Sequence, residues 1–186
     1  METSLNVRIA EALREKMERK DDFRAGGYFT IEHIRDGEVI YTEDTPNIVV
    51  DEGLTYILDT ALSNGTQNAT HYIGIFKNNY TPVAGDVAAT FAGAGVANEI
   101  STEIDETVRP TWTEAGVTSK TITNSASPAA FTANTTVSAY GAFLISNSTL
   151  GGTSGKLVAA SKFSAVRNLV DTDVLNVTYT LTIADA

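Results

Sequence analysis

The chain has 186 residues, a formal net charge of −10 and no cysteine, a length that suits one domain with a sizeable core and room for an appendage. The acidic balance opposes binding to phosphate backbones, which draws on clustered Lys and Arg, so no nucleic-acid partner is expected. The absence of thiols excludes disulfides, thiolate catalysis and cysteine-ligated metals.

Charge is uneven along the chain. Residues 1–44 hold 7 of the 13 Lys and Arg and 11 of the 23 Asp and Glu, and a long stretch of Thr, Ala, Ser, Asn and Gly follows. Ser4 to Lys20 predicts an amphipathic helix, with Leu5, Ile9, Leu13 and Met17 as a narrow i, i+4 stripe among Arg8, Glu11, Arg14, Glu15, Lys16 and Glu18. So thin a stripe needs a neighbouring surface, its own domain's or another subunit's. This segment lacks the apolar core of a signal peptide, and no apolar run approaches the roughly 20 residues of a membrane helix. A soluble, cytoplasmically made chain with no membrane partner is expected. Asp21 to Gly27 breaks the helix, and Gly26-Gly27 predicts a sharp turn or hinge. An N-terminal helical arm over 1–27 and a β-rich domain over 28–186 follow from this.

Tyr28 to Ile34 and Val39 to Thr42 predict a hairpin about Asp36-Gly37. Asp51 to Leu62 predicts a helix near 51–63, with Asp51 as its N-cap, Leu54, Ile57, Leu58, Ala61 and Leu62 as its apolar face, and Asn64-Gly65 as its stop. Strands are expected over Tyr72 to Lys77, Val117 to Thr123, Phe131 to Thr136, Val137 to Ser146 and Lys156 to Phe163, while Asp86 to Asn98 reads as loop. Val174 to Ile183 alternates almost without error: Leu175, Val177, Tyr179, Leu181 and Ile183 on one face, mostly Asn and Thr on the other. Strands at such intervals predict a mainly β fold, an antiparallel β-sandwich or barrel of jelly-roll or immunoglobulin-like type, with the helical arm and one short internal helix.

No residue set reads as a catalytic, metal or cofactor centre. Gly151-Gly152-Thr153-Ser154-Gly155-Lys156 has Leu150 and Leu157 where a phosphate loop needs Gly and Ser or Thr, and reads as a hairpin turn. Gly93-Ala94-Gly95 lacks the third glycine of a dinucleotide fingerprint. Glu99, Glu103, Asp105 and Glu106, with Asp171 and Asp173, are read as solvated loop charges rather than as ligands of a hard cation or a glycosidase pair. His33 and His71 have no metal-ligand neighbour at useful spacing and are expected to be surface or packed residues. Trp112, in Arg109-Pro110-Thr111-Trp112, is a candidate partner contact or a core plug.

Several segments nevertheless fall into a familiar order. Asn47-Ile48-Val49-Val50-Asp51-Glu52-Gly53-Leu54 leads into a short helix, then come Tyr72-Ile73-Gly74-Ile75-Phe76 and Glu106-Thr107-Val108-Arg109-Pro110-Thr111-Trp112. Gly141 to Ser146, Gly155 to Phe163 and Asp173 to Leu181 complete the series. From Asn47 to the C-terminus this order resembles small structural proteins of tailed bacteriophages, and it carries no site residue with it. The resemblance implies a virion location. It leads to the expectation of a non-enzymatic capsid decoration, or cement, protein on the outer shell, with the major capsid protein as partner and a homo-oligomer, dimer or trimer, as its form. A tail- or fibre-associated adhesion protein is the alternative, and a virion-bound carbohydrate-active enzyme the third option. The partner contacts expected are Leu5, Ile9, Leu13, Met17 and Trp112.

Overall fold

The computed structural model describes residues 23–185, so the expected N-terminal helix and its stripe of Leu5, Ile9, Leu13 and Met17 lie outside the described residues. Within them the protein is mainly β, with two antiparallel sheets and few helices. Strand β1 (Phe23–Arg35) turns into β2 (Glu38–Pro46) through Asp36 and Gly37 at φ 52° and 80°. Two consecutive positive-φ residues match the right-handed twist of the flanking strands, which is why this dipeptide closes a tight hairpin. β9 (Val174–Asp185) pairs with β1 over its length, from Phe23 opposite Asp185 to Ile34 opposite Val174, without a slip. The far edge of β9 is shared by β5 (Thr121–Thr123) and β6 (Ala129–Thr132).

The alternation of the last strand sets the inner face of this sheet. Leu175, Val177 and Tyr179 are fully buried with Phe29 and Ile31, while Thr30, Glu32, Asn176 and Thr178 fall on the opposite face of the same pairs. Leu181 is only half-buried. The hinge expected at Gly26-Gly27 is absent: both residues continue β1, so residues 23–27 belong to the sheet and not to the arm. Gly27 is required by proximity, since a Cβ there would stand 1.9 Å from the Thr180 carbonyl oxygen.

The second sheet runs in the order β3 (Ile48–Val49), β8 (Leu157–Leu169), β7 (Val137–Ile145), β4 (Tyr72–Phe76). One face, with Ile73, Ile75, Leu144 and Ala159, joins Phe29, Val177 and Tyr179 in the main core. The other, with Phe76, Phe143, Ile145 and Ala160, is covered by Phe91, Ala88 and Ala97. Burial on both faces explains why β7 and β8 read as apolar runs without clean alternation. The Ala/Gly-rich stretch Asp86 to Asn98, expected as loop, is that cover, and it includes a single short helix, Ala88–Phe91.

Helix α1 (Asp51–Leu62) lies where its periodicity places it, with two corrections. The N-cap is Val50, without a side-chain bond, and Asp51 with Glu52 sits in the first turn, where negative charge complements the helix dipole. The buried side is Gly53 with half-buried Leu54, Tyr56 and Ile57, whereas Leu58 and Leu62 are 52% and 82% exposed. The stop is as expected: Asn64 adopts φ 59° and the Gly65 N–H donates to the Asp59 carbonyl at 3.0 Å. Among the described residues no helix is long and apolar enough to cross a membrane.

Candidate functional site

Buried charge is the first place to look for chemistry, because isolated charge is costly to bury and must be held by partners. Glu99 and Arg109 are both fully withdrawn from solvent and form a bidentate pair at 2.7 and 2.7 Å. Arg109 also donates to the carbonyls of Asn147 (2.7 Å) and Gly152 (2.8 Å), and the Gly151 N–H donates to Glu99 at 2.6 Å. The Phe143 ring lies 5.4 Å under the guanidinium. The pair thus ties the loop between β7 and β8 to the segment that crosses the end of β4. It has no open side on which a substrate could act.

Asp173 forms a second knot. It accepts from Arg35 Nε (2.9 Å) and Nη2 (2.7 Å), from His33 Nε2 (2.9 Å) and from the Val170 N–H (2.8 Å). A His–Asp pair could orient a nucleophile's base, but here the carboxylate's remaining capacity goes to Arg35 and backbone, pinning the β8–β9 turn. Glu99 and Asp173, read from sequence as solvated, are therefore buried structural ties. Asp105 and Asp171 are exposed as expected. Glu103 pairs with Lys77 at 2.5 Å, and Glu106 accepts the Thr132 N–H with both oxygens, at 3.0 and 3.1 Å.

The hydrogen bonds from Arg35, outweighing the opposing effect of burial and aided by Val170 and His33, hold the Asp173 carboxyl well below the usual carboxylate range. A depressed folded-state pKa contributes stability that is present above the unfolded value near about 3.9 and is lost as pH falls toward the folded one. The urea midpoint should therefore drop as pH is lowered from about 5 to about 2. Asp173→Asn should flatten part of that acid limb while lowering stability at neutral pH. Superimposable acid limbs for the two proteins would exclude Asp173 as a source of it.

A concave surface lies elsewhere, at the end of the sheets under α1. A polar cleft of about 340 Å³ is lined by Gln67, Asn68, Thr70, Thr111, Thr113 and Glu114, with His71 and Trp112 at its base. Those two residues and Ile122 also border an apolar chamber of about 140 Å³, walled by Tyr56, Ile57, Val158 and Leu181. Rings run from the core to this chamber in contact: Phe29–Tyr179 at 4.5 Å, Tyr179–Trp112 at 5.9 Å, Trp112–His71 at 6.3 Å and His71–Tyr56 at 5.6 Å. Trp112 is 8% exposed and donates Nε1–H to the Tyr179 carbonyl at 3.2 Å. It is both a core residue and the floor of the cleft. Burial pushes the His71 imidazole below its ordinary value, which disfavours its charged form.

Of the residues singled out from sequence, the structure brings Trp112 and His71 together and keeps His33 in the separate Asp173 knot. The chamber walls escaped sequence reading because they come from α1, β5, β8 and β9, far apart in the chain. The alternation of β9 marked Leu181 as apolar, and nothing local marked it as incompletely covered. Among the described residues no group of three or more His, Cys, Asp or Glu side chains is placed to hold a metal ion. No protein-family model matches the chain, and no curated protein matches it in sequence.

Proposed function

We propose that the protein is a virion structural protein of a tailed bacteriophage, a capsid decoration protein that sits on the outer shell, bridges neighbouring major capsid subunits and stabilises the head. In this reading the two sheets form a β-sandwich of jelly-roll or immunoglobulin-like type, and copies act as a dimer or trimer. The observation that carries it is the use of buried charge. Among the described residues His33, Asp86, Glu99, Arg109 and Asp173 are all consumed in internal hydrogen bonds. What remains for action is surface, and a protein that works by contact suits that economy.

Two features of that surface fit a clamp made in many copies. The outer face of the first sheet is threonine-rich, with cross-strand hydroxyl contacts Thr121–Thr182 (3.0 Å) and Thr123–Thr180 (2.8 Å). Among the described residues its edge strand β2 pairs only with β1, and it carries exposed Glu38 and Asp44. Charge on an edge discourages strand-to-strand aggregation, and the net charge of −10 keeps free copies apart before assembly. Attachment falls to the N-terminal stripe. Several arms engaged at once raise avidity by about 10²–10⁴ without new contacts.

Gold labelling of the subunit in intact particles tests the location. Even label over the head is expected; label confined to the tail would assign the protein to the tail or fibre instead. The full-length chain with Ile9→Asp should keep its melting temperature and lose at least tenfold in affinity for undecorated heads. Unchanged head binding would remove the stripe from the interface. Turnover of a host polysaccharide by the wild-type protein would overturn the contact-only reading.

A further inference from the structure

We propose that the apolar chamber and the adjoining polar cleft form one binding site, for a small uncharged aromatic molecule that carries a hydroxyl, of the size of phenol. The ring sits in the chamber, and its hydroxyl hydrogen-bonds to His71. The site goes beyond the capsid reading and does not rest on it.

The chamber suits one ring in both volume and character. Its volume of about 140 Å³ is close to the ~150 Å³ of an apolar cavity that accepts benzene. Ile57, Ile122, Leu144, Val158 and Leu181 supply hydrocarbon walls, and Tyr56, His71 and Trp112 supply aromatic ones. Aromatic rings favour tilted and edge-to-face contacts with centroids about 4.5–7 Å apart. Tyr56 with His71 at 5.6 Å, and His71 with Trp112 at 6.3 Å and nearly perpendicular, already have that spacing. A ligand ring extends the series.

The polar atoms of the aromatic walls differ in what they hold. The Trp112 Nε1–H donates to the Tyr179 carbonyl at 3.2 Å, and the Tyr56 hydroxyl accepts the Asn68 N–H at 2.9 Å. The ring nitrogens of His71 have no hydrogen-bond partner among the described residues. His71 also borders both the chamber and the cleft, so it stands at their junction. A neutral imidazole offers one donor and one acceptor nitrogen, and a hydroxyl can answer either.

Charge selects against anions. Burial disfavours the imidazolium form of His71, and among the described residues no Lys or Arg lines the cleft or the chamber. A carboxylate or phosphate would meet no cation there and would face Glu114 at the rim. The amides of Gln67 and Asn68 and the hydroxyls of Thr111 and Thr113 suit an uncharged polar substituent.

Trp112 is the chain's single tryptophan and borders the chamber, so its emission reports occupancy. In the full-length free protein, phenol and toluene should each change that emission saturably, and benzoate at neutral pH should not. His71→Phe keeps a ring of similar size and removes the nitrogens. It should weaken phenol binding at least fivefold and leave toluene binding within about twofold. Ile57→Phe, a larger wall from α1, should abolish both responses while the protein still melts cooperatively. No saturable response to phenol, or benzoate binding as tightly as phenol, would overturn the site. Equal weakening of phenol and toluene by His71→Phe, or of neither, would remove His71 as the anchor. Wild-type phenol binding in Ile57→Phe would place the ring outside the chamber. These titrations use free protein, so they can fail while head labelling succeeds, and the reverse.

Discussion

Arg109→Met should lower the free energy of unfolding by about 3–5 kcal/mol, the range for removing one partner of a buried ion pair. The cause is what stays behind. Glu99 is 2% exposed and would keep its carboxylate in the interior with only the Gly151 N–H still donating to it. The Asn147 and Gly152 carbonyls would lose their donor as well. Glu99→Gln with Arg109→Met should recover part of the loss, because it removes the orphaned charge while keeping a group that can accept from Gly151. Urea unfolding of the four proteins in the cycle measures this. A loss under about 1 kcal/mol in the single variant would mean that water reaches the site and satisfies Glu99.

The second large effect is expected at Gly53, from steric conflict. A Cβ there would meet the Val158 carbonyl oxygen at 2.2 Å and its C and Cα atoms at 2.8 Å. All three are backbone atoms of β8, so no rotamer change relieves the contact. Gly53→Ala must push α1 off the sheet, even though alanine favours the helix by about 1 kcal/mol over glycine. A net loss of about 2–3 kcal/mol is expected, at the upper end for overpacking. Tyr56 and Ile57 on α1 face Val158 across the chamber, so the displaced helix should also widen it and raise Trp112 quenching. A stabilised Gly53→Ala protein would show that α1 can shift freely, and the chamber would lose its rigid wall.

The two residues act on neighbouring parts of the fold. Arg109 fixes the loop between β7 and β8 near the segment that leads to Trp112, and Gly53 sets how closely α1 approaches β8. Both shape the surroundings of Trp112 and of the chamber that it borders.

The residues themselves carried the local physics. A period of two in Val174–Ile183 assigned the inner face of β9 correctly through Tyr179, Asp36-Gly37 fixed the first turn, and the i, i+3, i+4 spacing after Asp51 located α1. In each case the cause acts between near neighbours in the chain: side-chain direction on a strand, tolerance of positive φ, a helical face. Where a distant segment intervened, the local reading failed. Gly26-Gly27 has the composition of a hinge, yet twelve cross-strand pairings with β9 hold β1 straight through it. Glu99 and Asp173 sit among polar neighbours in sequence, and only the fold brings Arg109, Arg35 and His33 to them. Leu58 and Leu62 belong to the apolar period of α1 but face solvent, because β8 approaches the helix at Gly53 instead. Composition and periodicity determined which segments would be strands and which faces would be oily. The packing of α1, β5, β8 and β9 decided which of those faces stayed incompletely covered, since burial depends on what lies across the gap as well as on what points into it.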